Sequence, residues 1–147
     1  MKLNNLLNSI KNNKGSELIE SFEIITLRTT GMRFSAEKEV QMKDDLAEVV
    51  EYGIRYADGE DKRIVEMKAL CDKERILKLL NDCDILSWDG FVGKHPKNVQ
   101  DGIMFTLNGT VNGRHIYATG SENFPKHYRE FENGLSEILK EAQEAYE

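Results

Sequence analysis

The dipeptide Asn112-Gly113 lies between two runs of alternating apolar residues and constrains the chain more than any other feature. Asn-Gly favours a two-residue turn with positive φ at both central positions, so the flanking runs are predicted to pair as an antiparallel hairpin. In that register Val111 pairs with Arg114, Gly109 with Ile116, Leu107 with Ala118 and Phe105 with Gly120. One face then holds Ile103, Phe105, Leu107, Val111, Ile116 and Ala118, and the other holds Met104, Thr106, Asn108, Thr110, His115, Tyr117 and Thr119. A slip by one position would put the apolar set on the wrong side of the sheet. The alternative turn at Asn108-Gly109 leaves almost no strand before the second glycine. Downstream, Pro125 suits the first position of a helix. Tyr128, Phe131, Leu135, Ile138, Leu139, Ala142 and Tyr146 then recur at the three-and-four spacing of a long amphipathic helix. Gly134 interrupts that stripe at a cost of about 1 kcal/mol relative to alanine, which predicts close packing against a strand or another helix. Residues 103–146 thus form a hairpin–helix unit.

The upstream sequence reads as a further set of strands and helices. Leu3, Leu6, Leu7 and Ile10, stopped by Gly15, predict a short amphipathic helix over 2–13. The β-branched run within Leu18–Thr30 predicts a strand. In 37–47, Val40 and Met42 fit a strand, whereas Met42, Leu46, Val49 and Val50 fit a helix; the strand, broken at Lys43-Asp44-Asp45, is preferred. Asp58-Gly59 predicts a hairpin between Val49–Tyr56 and Arg63–Leu70. Val50, Tyr52, Ile54 and Tyr56 are placed on one face of its first strand, and Val65, Met67 and Ala69 on one face of its second. Asp72 is expected to cap a helix over Lys73–Asp82, with Ile76, Leu77, Leu79 and Leu80 as its apolar stripe. The expected fold is α+β: an antiparallel sheet of about five strands with helices packed on one face, in one domain spanning 1–147.

Bulk properties narrow the function classes. A length of 147 residues with 39% hydrophobic and 31% charged content matches a globular domain able to bury a core. The net charge of −6 argues against a nucleic-acid partner, whose phosphates call for a basic surface. Short basic stretches at Lys94–Lys97 and Lys126–Arg129 are diluted by neighbouring acids. Lys2 to Asn8 lacks the apolar core of a secretory signal, and no run approaches the ~18 apolar residues of a membrane span. Cys71 and Cys83 bracket the predicted helix and would lie about 18 Å apart along it, too far for a disulfide, so free thiols in a reducing cytoplasm are expected.

The segment Ser87–Gly102 has no sustained period and contains three glycines and a proline. Loops of that length in compact domains are often functional. Because Ile103 faces Glu122 in the hairpin register, the end of this loop lies beside Ser121–Phe124 and the start of the last helix, where unpaired N–H groups gather. A small-molecule site, if present, would be lined by Trp88, Asp89, His95, Asp101, Asn123 and His127. The plainer assignment makes Trp88 and Phe91 core plugs, Asp89 and Asp101 turn residues before glycine, and Asn123 the helix cap. His95, His115 and His127 lack metal-ligand spacing, and His115 belongs to the polar hairpin face, so no metal is expected. Neither cysteine has a flanking histidine, and the glycine-rich phosphate-binding and nucleophile-elbow patterns are absent. No cofactor is implied.

From Leu86 onward the chain resembles a family of small bacterial domains of unassigned activity. The resemblance is carried by Trp88-Asp89-Gly90-Phe91, Asp101-Gly102 before the strand through Phe105, Gly120-Ser121-Glu122-Asn123-Phe124-Pro125, and Phe131 with Leu135. It implies an α+β domain with an antiparallel sheet and packed helices, and no activity or catalytic residue.

The leading expectation is a cytoplasmic binding or protein-interaction module, with a protein or a small molecule as partner. An immunity- or antitoxin-like partner of a toxin is one rival, because an acidic domain suits the masking of a basic enzyme surface. An enzyme acting at the loop–helix junction is the other, with His95 or His127 as general base and Asp101 or Asp89 as its orienter. A free edge of the hairpin would also accept a strand from a second copy, giving a homodimer.

Overall fold

The computed structural model describes residues 17–145. The helix expected over 2–13, and Tyr146 at the end of the C-terminal stripe, lie outside them. The strands are β1 (Phe22–Thr30), β2 (Ser35–Lys43), β3 (Leu46–Ala57), β4 (Glu60–Asp72), β5 (Val92–Gly93), β6 (Met104–Val111) and β7 (Arg114–Ser121). The helices are α1 (Lys73–Asp82) and α2 (Tyr128–Glu144), with a 3-10 turn at Ile85–Trp88. The strands form one seven-stranded sheet in the order β4-β3-β2-β1-β6-β7-β5. All neighbours run antiparallel except β5, which lies parallel to β7. The architecture is α+β, with seven strands where about five were expected.

Local turn chemistry explains the hairpins. Asp58 and Gly59 have φ of 54° and 83°, and Asn112 and Gly113 have φ of 51° and 74°. Both pairs thus take the doubly positive conformation that matches strand twist. The β6–β7 register is the one expected from Asn112-Gly113, and Phe105, Leu107, Val111, Ile116 and Ala118 are all buried. The region 37–47 is a strand ending at Lys43, and Asp44 turns the chain with φ of 60°. β1 pairs with both β2 and β6, and so joins the N-terminal meander to the C-terminal hairpin.

One expectation about the β3–β4 hairpin fails. A register shift between Glu51 and Tyr52 sets Val65 opposite Tyr52 and Met67 opposite Glu51. A β-bulge at Glu66 supplies the extra residue, so Val65 and Met67 fall on opposite faces. Val65 is exposed and Ala69 is buried.

Both helices contact β3 and β4 as well as each other. Phe131, Leu135, Ile138 and Leu139 of α2 join Ile76 and Leu80 of α1 in one core with Ile25, Leu27, Val40 and Val49 of the sheet. The opposite face of β6 and β7 carries Thr106, Asn108, Thr110, His115, Tyr117 and Thr119, as expected. Arg75 on α1 donates to Glu141 on α2 at 2.6 Å, and this bond holds the Glu141 carboxyl below its ordinary range. Gly134 meets α1: a Cβ there would lie 2.5 Å from Leu79 Cδ1. Leu79 Cδ1 is the end of a flexible side chain, so its displacement costs about as much as the roughly 1 kcal/mol that alanine adds to helix propensity. Gly134→Ala is therefore expected to leave the urea midpoint nearly unchanged.

The start of α2 differs from expectation. The helix begins at Tyr128, with His127 at the capping position in the left-handed region (φ 69°). Pro125 stands outside it, its carbonyl accepting from Tyr128 N at 3.2 Å in a separate turn. This turn lets Phe124 pack on Phe105 and Tyr128, at ring separations of 5.6 and 4.6 Å.

Candidate functional site

The loop singled out by sequence is ordered by its own polar groups. Trp88 is buried in the core, stacks on Tyr128 at 5.9 Å and donates its indole N–H to the Lys126 carbonyl at 3.1 Å. Asp89 Oδ1 accepts the backbone N–H of Tyr117 at 3.0 Å. The Gly90 N–H donates to the Tyr117 carbonyl, and the Thr119 N–H donates to the Phe91 carbonyl. Asp89 through Gly93 therefore closes the outer side of β7 along Tyr117–Gly120, and this stretch of the hairpin presents no free edge to a second copy. The edge strands of the sheet are β4 and the two-residue β5.

His95 is a staple of the loop. Its Nε2 donates to the Val99 carbonyl at 2.6 Å, and its Nδ1 bonds the Ser121 hydroxyl at 2.8 Å. Asn123 does not cap α2; its side-chain amide donates to the Lys94 carbonyl at 3.2 Å. Asp101 is an exposed turn residue with φ of 60°, followed by Gly102 at 123°. The loop does pack beside Ser121–Asn123, where the Glu122 N–H donates to the Ile103 carbonyl and the Glu122 carboxylate accepts from the Ile103 N–H. Most of the side chains expected to line a site there are consumed in holding that junction.

His127 lines a different concavity. A cleft of about 840 Å³ lies between the helix-bearing face of the sheet and the first turns of α2. Leu27 and Thr29 of β1, Lys38 of β2 and Glu51 of β3 form its floor. Phe124, Tyr128, Glu130, Glu132 and Asn133 form one wall, and Phe34, Ile103 and Glu122 stand at its mouth. Its volume falls within the range of small-molecule and side-chain pockets.

The floor holds an ion pair at core parity. Lys38 and Glu51 are cross-strand partners, their charged ends 3.3 Å apart and their side chains largely covered. Above them the Tyr128 hydroxyl reaches Thr29 Oγ1 and Glu132 Oε2, each at 3.4 Å. Burial pushes the Tyr128 phenol up to about 12, and the adjacent Glu132 carboxylate acts in the same direction. His127 Nδ1 donates to Glu130 Oε2 at 2.8 Å.

Sequence reasoning missed Thr29, Lys38, Glu51, Glu130 and Glu132. A signal existed for two of them. Lys38 alternates with Val40 and Met42, and Glu51 with Ala47 and Val49, so both strands place a charge where their pattern calls for an apolar residue.

The cysteines are free: Cys71 is half-buried and Cys83 is buried. Burial pushes the Cys83 thiol up to about 11, and Glu130 and Asp82 add to the effect, so its reactive thiolate is suppressed. Among the described residues no group of three or more His, Cys, Asp or Glu side chains is arranged to hold a metal ion. Among them, too, no helix is long and apolar enough to cross a membrane. The chain matches no protein-family model and no curated protein.

Proposed function

We propose that this chain is a protein-interaction module whose contact surface is the cleft between the sheet and the start of α2. The observation that carries the reading is an apolar rim around a polar concavity. Phe34 and Ile103 line the cleft and are exposed at 51% and 38%, and Met32 is exposed in the adjoining β1–β2 turn. Register gathers them: Thr30 pairs with both Ser35 and Met104, which brings the β1–β2 turn beside the start of β6. Exposed Met and Phe grouped around a concave site are typical of the apolar centre of a protein interface. The unbridged cysteines and acidic composition support placing the protein in a reducing cytoplasm, and the resemblance of its C-terminal half to small bacterial domains supports a bacterial source.

Phe34→Asp tests the reading, because the side chain is exposed and its loss leaves the core intact. In native gels of extracts from its own cells, the wild-type chain is expected to migrate in a complex, and Phe34→Asp as the free 16.9 kDa chain with an unchanged melting temperature. A wild-type chain that runs free, or a Phe34→Asp chain that stays complexed, contradicts the proposal.

A second reading is favoured by one feature, the His127–Glu130 pair. A carboxylate accepting from Nδ1 leaves Nε2 as the basic nitrogen, the arrangement used for general-base work, and His127 holds an uncommon left-handed backbone conformation. His127→Ala separates the two readings: an enzyme loses its activity, whereas an interaction module retains its complex.

A further inference from the structure

We infer that the cleft receives an arginine or lysine side chain presented by a basic protein partner. This rests on the reading of the cleft as a protein-binding surface and adds the chemistry of the occupant.

Charge is the first ground. On the outer face of the sheet several acids are matched: Glu37 holds Arg28 and Arg63, and Glu48 holds Lys43 and Lys68. On the surface of α2, Glu141 is held by Arg75, whereas Glu130, Glu132, Glu137 and Glu144 stand with only Arg129 and Lys140 as cations of the same helix. Within the cleft, Lys38 is neutralised by Glu51. Arg129 then remains as the opposing cation beside the carboxylates of Glu122, Glu130 and Glu132. Three carboxylates against one remaining cation leave the lining of the cleft negative.

The second ground is the aromatic wall. Phe124 and Tyr128 lie 4.6 Å apart by ring centroid, backed by Trp88 and Phe105. A ring face next to a carboxylate is the setting in which a guanidinium or ammonium gains from both partners at once. The outer face shows that arrangement with its cation in place: Arg63 sits 4.0 Å from the Tyr52 ring centroid and donates to Glu37 and Glu39 at 3.3 Å. In the cleft, Tyr128 and Glu132 supply the same two components. The third ground decides the source of the cation. A free small cation would not need the exposed Phe34 and Ile103 at the cleft, whereas a protein that inserts one charged side chain buries them around it.

The test is a selection of random displayed peptides on the full chain, followed by binding measurements on Glu130→Lys, Glu130→Lys/Glu132→Lys and Phe34→Asp. Glu130 is exposed, so its single variant keeps the test valid should the double variant fail to fold. Retained peptides are expected to be rich in Arg and Lys with an adjacent apolar residue. Their binding should fall at least about tenfold in the Glu130 variants and weaken steeply with added salt. Neutral or acidic peptides that still depend on Phe34 would overturn the inference about charge while the cleft reading stands. Peptides indifferent to all three variants, or no retained peptides, would overturn both.

Discussion

Trp88→Ala is expected to lower the unfolding free energy by about 3–5 kcal/mol, read as a shift of the urea midpoint at unchanged slope. The indole is almost wholly buried (1% exposed), stacked on Tyr128 and set edge-on to Phe131 at 5.6 Å. Its removal leaves a void where the 3-10 turn, α2 and the sheet meet, and backbone at such a junction cannot collapse to fill it. It also strips the Lys126 carbonyl of its donor. Trp88→Phe separates these contributions: it keeps most of the packing and loses the hydrogen bond, for an expected cost of about 1–3 kcal/mol. A Trp88→Ala protein as stable as the wild type would mean that the aromatic cluster does not hold the start of α2.

The second large effect is expected at Gly120, where the obstacle is backbone. A Cβ there would lie 2.1 Å from the Asn123 carbonyl oxygen and 2.7 Å from Phe105 Cε1. At Gly134 the obstructing atom is a movable methyl; at Gly120 it is the main chain of the Ser121–Pro125 segment, which the Asn123–Lys94 and Glu122–Ile103 bonds hold in place. Gly120→Ala is therefore expected to cost about 3 kcal/mol, the upper end of ordinary overpacking, and to lower the melting temperature by roughly 6–12 °C. Because the displaced segment carries Phe124, the variant should also lose binding at the cleft. A Gly120→Ala protein with wild-type stability would show that this segment is free to move.

Turn chemistry and alternation made much of this architecture legible from sequence. Asp58-Gly59 and Asn112-Gly113 announce their turns because few other residue pairs take two positive φ values without strain. The C-terminal register followed because only one choice buries Phe105, Leu107, Val111, Ile116 and Ala118 together. What stayed hidden depends on contacts distant in sequence. β5 has just two residues, and its pairing with Thr119 and Gly120 is non-local, so no periodicity reveals it. The bulge at Glu66 breaks the alternation on which the faces of β4 were judged.

The bonding within the loop 87–102 was not legible in the sequence. Its polar residues look available in sequence, yet Asp89, His95 and Asn123 satisfy backbone and neighbouring groups, as buried or folded-back loops require. The cleft itself was illegible because its floor comes from β1, β2 and β3 and its wall from α2. Those elements meet through the pairing of β1 with β6 and the packing of α2 on β3 and β4, which no local signal specifies.

The central claim is that the protein works through the cleft and not through its polar outer face. The most direct measurement places a photo-crosslinking amino acid at Phe34 or Asn133 on the cleft, and at Tyr117 on the outer face, in the full chain within its own cells. The account predicts one and the same basic protein crosslinked from Phe34 and from Asn133, and no adduct from Tyr117. An adduct from Tyr117 alone, or equal labelling from all three positions, would contradict it.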